Sequence, residues 1–219
     1  MKLSKSTMEV LANFATINPS AMVKPGKFIN TKSINNVIYA EATLEDEIDI
    51  TAGIYSLSEF LGIVGIVGSD SVVTEDKEFI TIAAGRSKSR LKMADPSTIV
   101  HPKKAINFPV ADVMFEMGES EFNQIKSAAS GMGMTTLCFF NKDGRIFAGV
   151  SSETSENSYQ VELADYDGTA TFEFVLQFAN MKMIKGKYQV MIAKEGAVMF
   201  KGERINYVVA LDEKSKYTA

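Results

Sequence analysis

"SKSTMEVLANFATIN" (residues 4–18) is followed at once by a long stretch that alternates, and that change of period sets the architecture. Ser4 stands where a helix cap belongs, and Met8, Leu11, Phe14 and Ala15 recur at helical spacing with Val10 and Ile17 beside them. Lys5, Glu9, Asn13 and Thr16 gather on the opposite face. The next segment, "KFINTKSINNVIYAEATLEDEIDITAGIY" (27–55), alternates around the turn signal Asn35-Asn36 and predicts a β-hairpin plus one more strand. A second helix is expected at "SLSEFLGIVGIVG" (56–68), with Ser58, Gly62 and Gly65 on one face and close backbone packing as the use of its glycines. Strands follow at "SVVTEDKEFITIAAGRSKSRLKM" (71–93).

The second half repeats the order. "GESEFNQIKSAAS" (118–130) buries Phe122, Ile125 and Ala129 and turns Asn123, Lys126, Ser127 and Ser130 outward. "TTLCFFNKDGRIFAGVSS" (135–152) is a hairpin signalled by Asp143-Gly144. More strand surrounds Asp167-Gly168, a fourth helix is expected at "QFANMKMIKGKYQV" (177–190), and two hairpin-like pairs close the chain. Between the halves lies "ADPSTIVHPKKAINFPVAD" (94–112), whose three prolines predict an extended connector. The expected architecture is α+β: two similar domains, 1–105 (with connector 94–105) and 106–219, each with two short helices on antiparallel sheet.

Composition limits the chemistry. One Cys and one His exclude zinc sites built from those ligands, and His101, in the Pro-flanked "IVHPKK", is badly placed for a general base. "GIVGIVG" and "SGMGM" lack the order that cradles phosphates. "LEDEIDI" (44–50) holds four acids but no catalytic companion, and "DYDG" (165–168) starts like a calcium loop yet reaches Leu176 where the bidentate Glu belongs. These motifs therefore point to no metal and no cofactor. No stretch approaches the roughly 20 apolar residues of a membrane span, and "MKLSKSTMEV" is no secretory signal, so a cytoplasmic protein is expected.

Charge carries the functional reading. Residues 1–105 hold 12 basic and 12 acidic residues, and 106–219 hold 11 and 15. Acids concentrate in strands and turns, while lysines sit on or beside helices, with Lys182, Lys185 and Lys187 within six residues. That sorting suits a protein holding DNA against one surface through sequence-independent phosphate contacts. No aromatics interleave for base stacking, and no helix pairs Arg with Asn or Gln to read base edges.

The chain also resembles a family. "MKLSK" (1–5), "NFATIN" (13–18), "YAEA" (39–42), "FLGI" (60–63), "ADPSTIV" (94–100), "FPVA" (108–111), "DYDG" (165–168), "ANMKM" (179–183) and "NYVVAL" (206–211) are similar to the sliding clamps, or DNA polymerase processivity factors, of T-even-type bacteriophages. The resemblance implies the DNA-clamp fold and a homotrimeric ring around double-stranded DNA in the cytoplasm of the infected host. It further implies a tethered DNA polymerase, loading by an ATP-using clamp loader, assistance to late transcription, and no catalysis. Lys5, Lys126, Lys182 and Lys185 are then expected to face DNA, with Lys187 at the rim and Lys24 and Lys27 as further candidates. Ile99, Val100, Ile106, Phe108, Val110 and Tyr207 are expected to form an apolar pocket for a partner peptide. The alternative reading is a phage ring- or tube-former that encloses no DNA.

Overall fold

The computed structural model describes residues 1–68 and 70–219, in two compact units, Met1–Ile106 and Asn107–Ala219. In the first, α1 (Lys5–Ile17) starts where Ser4 Oγ accepts the Thr7 N–H at 3.2 Å, and it buries Val10, Leu11, Phe14 and Ile17. It stops at Asn18, because Pro19 disfavours helix at the residue before it. Strand β1 (Ala21–Val23) pairs with β4 (Ala52–Ile54), and β2 (Gly26–Lys32) forms the expected hairpin with β3 (Ile38–Ile48), turning through Asn36 at φ 58°. Helix α2 (Leu57–Val67) is capped by Ser56 and buries Leu57, Phe60 and Val64. A meander of β5 (Val72–Asp76), β6 (Phe79–Ala84) and β7 (Ser87–Lys92) follows. The core is α1 on β3 and α2, with α2 on β6 and β7.

Asn18 is the polar knot of this unit. Its buried side chain donates to Lys32 O at 3.0 Å and Val100 O at 2.7 Å, and accepts from the N–H of Ser20 at 3.0 Å. It thus ties the end of α1 to β2 and to the connector. Asn18→Leu leaves those groups unpartnered and is expected to cost about 3 kcal/mol, read as a lower urea midpoint with unchanged m-value.

In the second unit β8 (Val113–Met117) leads into α3 (Glu119–Met132), whose first turn carries Glu119 and Glu121 where the helix dipole favours acid. Gly133, left-handed at φ 65°, ends it. β9 (Thr136–Lys142) and β10 (Arg145–Ser152) form the predicted hairpin, with both Asp143 and Gly144 at positive φ. β11 (Ser155–Asp165), β12 (Thr171–Gln177) and β16 (Lys216–Thr218) complete a sheet of order β11-β10-β9-β12-β16. The turn at Asp167-Gly168 therefore carries the chain past two strands rather than closing a hairpin. β13 (Tyr188–Ala193), β14 (Ala197–Lys201) and β15 (Ile205–Ala210) form a meander, with β8 on the far side of β13. All these pairings are antiparallel, as expected for an α+β clamp fold.

Three expectations need correction. The segment 177–190 is not a fourth helix: it makes one 3-10 turn (Phe178–Asn180), an irregular stretch, and then β13. Gly62 and Gly65 do not serve close packing within the chain, since a Cβ at either would meet nothing within 4 Å; Gly133 serves as a left-handed helix end. The connector is not wholly extended, because Asp95 caps a 3-10 turn at Pro96–Thr98.

Candidate nucleic-acid interface

The lysine-rich segment is built by alternation. Met181 and Met183 are buried, so Lys182 between them is turned outward, and Lys185 and Lys187 continue the exposed set. The main chain is pinned where a helix would have bonded to itself. Lys126 Nζ, on α3, donates to Met183 O at 3.4 Å. The Ile184 N–H donates to the Tyr207 hydroxyl at 3.3 Å, and the Tyr188 hydroxyl donates to Ile184 O. Lys185 pairs with Glu119 at 3.3 Å and Lys187 pairs with Glu116, tying the segment to α3 and β8.

Lys126 is half-buried, with Nζ 5.2 Å from the Phe122 ring centre. Burial, reinforced by the Lys182 ammonium, holds its pKa below the ordinary lysine value. Lys126 and Lys182 are thus neighbours. In the N-terminal unit Lys5, Lys24 and Lys27 are all exposed. The carboxylate of Asp46 accepts the Ser4 N–H at 2.6 Å; burial raises its pKa, but that bond, Thr7 and Lys27 outweigh it and hold the pKa low.

The expected peptide pocket divides. Val100, Ile106 and Val110 are exposed, Val110 at 89%, and Phe108 is half-buried. Ile99 is buried, its Cδ1 only 2.8 Å from where a Gly53 side chain would begin. Tyr207 is fully buried against Tyr188, ring centres 6.2 Å apart, so its place in a surface pocket is a correction: its ring is core and its hydroxyl serves Ile184.

Two features escaped the sequence reading. Lys201 and Arg204, on the β14–β15 turn, line a cavity of about 480 Å³ together with Lys185 and Lys187. The run "GRSKSRLK" (85–92) places Lys88, Arg90 and Lys92 on one exposed face of β7, a pattern visible as alternation of charge. Neither Cys138 nor the acids suggest chemistry. Burial, with Glu173 adding to it, pushes the Cys138 thiol up to about 12, and among the described residues no group of three His, Cys, Asp or Glu could hold a metal.

Residues 2–101 match the family model "DNA polymerase processivity factor", and residues 114–213 match "gp45 sliding clamp, C terminal". The chain is 40% identical to the sliding clamp of Enterobacteria phage T4 and 38% identical to that of Escherichia phage RB69, in each case over 99% of both chains. In fold it is similar to A. fulgidus PCNA, solved with the C-terminal region of FEN-1 bound, at a TM-score of 0.70 and 13% identity, over 95% of this chain and 96% of that one. With both units and nearly the whole length matched, the chain belongs to the sliding-clamp family of phage DNA polymerase processivity factors.

Proposed function

We propose that three copies of this chain close into a ring around duplex DNA and tether the replicative polymerase, that an ATP-dependent clamp loader opens the ring, and that the ring also assists late transcription. The observation that carries ring closure is a pair of unpaired, oppositely charged strand edges. β7 is the outer strand of its sheet and exposes Lys88, Arg90 and Lys92. β11 is the outer strand of its own sheet and exposes Glu156, Glu162 and Asp165. Open edges invite pairing with another chain, and a head-to-tail pairing of unlike edges closes a ring when its rotation permits.

Enclosure makes residence on DNA independent of tight contact, so a few cations suffice. Lys5, Lys182 and Lys185 are assigned to the DNA-facing wall, Lys187 to its rim, and Lys24 and Lys27 to its flank. The net charge of −4 per chain is tolerable provided that the acids on that wall are paired, as Glu119 is with Lys185 at 3.3 Å and Glu116 is with Lys187. The test is retention on nicked circular DNA after loading with clamp loader and ATP, followed by linearisation. A clamp slides off the new ends; a ring- or tube-former that encloses no DNA never becomes retained.

For the polymerase peptide the connector residues Val100, Ile106, Phe108 and Val110 supply the apolar contacts, as exposed or half-exposed side chains on one short segment. Phe108→Ser is expected to weaken binding of a polymerase-derived peptide by about tenfold or more while leaving the ring mass unchanged. Undiminished peptide affinity would remove Phe108 from the set.

A further inference from the structure

The segment Met181–Lys187 carries three exposed lysines outside any α-helix, yet it is held at consecutive main-chain positions by three side chains, two of them distant in sequence. Lys126 takes the Met183 carbonyl, Tyr207 takes the Ile184 N–H, and Tyr188 takes the Ile184 carbonyl. Both tyrosine rings are buried, at 3% and 0% exposure, and pack edge-on. A phenylalanine would fill either ring site equally well. The hydroxyls are therefore surplus to packing, and their partners are the two polar atoms of one loop residue. Burial raises the pKa of both phenols, so they stay neutral and keep their protons. Arg204, on the neighbouring turn, opposes that rise at each of them.

We propose that Lys126, Tyr188 and Tyr207 are positioning residues that fix the 181–187 segment, so that Lys182 and Lys185 meet DNA phosphates as placed charges rather than as charges on a mobile loop. Placed charges lose less freedom on contact, so weak, sequence-independent contacts survive while the duplex moves past. Lys126 thereby acts through the loop, its ammonium being spent on Met183 and the Phe122 face. This inference rests on the reading that Lys182 and Lys185 face DNA, and its test separates the two.

The assembled protein is compared with Tyr188→Phe, Tyr207→Phe, the double variant, Lys126→Met and Lys126→Arg. Amide exchange is followed across 181–187, and equilibrium binding of a fluorescent linear duplex is followed against salt concentration. The double variant is expected to raise exchange at Ile184 and Lys185 about tenfold while β13–β15 keep their protection. The slope of log affinity on log salt should fall by about one unit. Lys126→Met should act in the same direction, and Lys126→Arg should restore the parent behaviour. Unchanged exchange overturns the proposal, and so does raised exchange with an unchanged slope. If Lys182→Ala with Lys185→Ala leaves the slope of the parent protein intact, the DNA-facing reading fails instead, and the exchange data still decide whether the hydroxyls hold the loop.

Discussion

Replacing Lys88 and Arg90 together by glutamate is expected to lower the solution mass from that of the proposed trimer, about three times 24.0 kDa, to that of a single chain. Among the described residues β7 pairs with β6 alone, through Phe79↔Lys92 to Ala84↔Ser87, and so is an outer strand of its sheet. One cation on it is held in place: the Arg90 guanidinium lies 4.1 Å from the centre of the Phe79 ring. On β11, which among the described residues pairs only with β10, Glu162 is partly engaged by Arg145 at 2.7 Å, leaving Glu156 and Asp165 to answer most of the charge.

An exposed opposite-charge pair contributes about 0.2–1 kcal/mol, and like charges facing across two strands cost a similar amount. Two reversals per interface therefore shift each contact by roughly 2 kcal/mol, more than tenfold in its association constant. A ring needs all of its contacts at once, so the effect compounds. Mixing that variant with Glu156→Lys, Asp165→Lys should recover part of the lost mass, and raised salt should weaken the unmodified ring in the same sense. A double-reversal variant that still sediments as the parent would rule out this pair of edges.

Much of the fold was legible because it is local. The Ser4 cap, the apolar stripe of α1 and the turns at Asn35-Asn36 and Asp143-Gly144 are each decided within a few residues, and each stands where the period placed it. The expected fourth helix failed for a physical reason. Between the end of β12 at Gln177 and Gly186 there are only eight residues, too few to offset helix nucleation without tertiary help. That help went elsewhere: Met181 and Met183 are buried at a spacing of two, and the polar groups of Ile184 bond to tyrosines. Met and Lys are good helix formers, but packing overrode propensity.

The candidate site was legible by residue type and not by partnership. Clustered lysines can be seen in any acidic chain, and Lys182, Lys185 and Lys187 are exposed as expected. That Lys126 would spend its ammonium on a carbonyl 57 positions away, or that Tyr207 would reach a residue 23 positions back, is encoded in no local pattern. Tyr207 misled for the same reason. An aromatic in "NYVVAL" fits a surface pocket or a core strand equally well, and the alternation buried at Ile205, Tyr207 and Val209 chose the core. The basic face of β7 was readable, but its meaning depends on β7 being an outer strand, which only the sheet order supplies.

Reversing Lys5, Lys182 and Lys185 to glutamate should abolish retention on circular DNA while leaving the ring intact. None of the three lies on β7 or β11, so assembly has no reason to change. Each replacement shifts the charge by two, taking the chain from −4 to −10, and on this assignment the change falls on the wall that meets phosphate. Replacing a phosphate-contacting lysine removes about one unit of salt slope, so the triple variant should lose about three, with repulsion added at low salt. The effect has a second, independent signature in Lys126. Its pKa is held low first by burial and then by the Lys182 ammonium, so Lys182→Glu replaces a repelling neighbour with an attracting one and must raise it. An ammonium resonance titrating at higher pH in Lys182→Glu would establish that the two side chains are neighbours in solution. If DNA retention nevertheless persisted in the triple variant, the DNA-facing assignment of these three lysines would be wrong even though the local geometry was right.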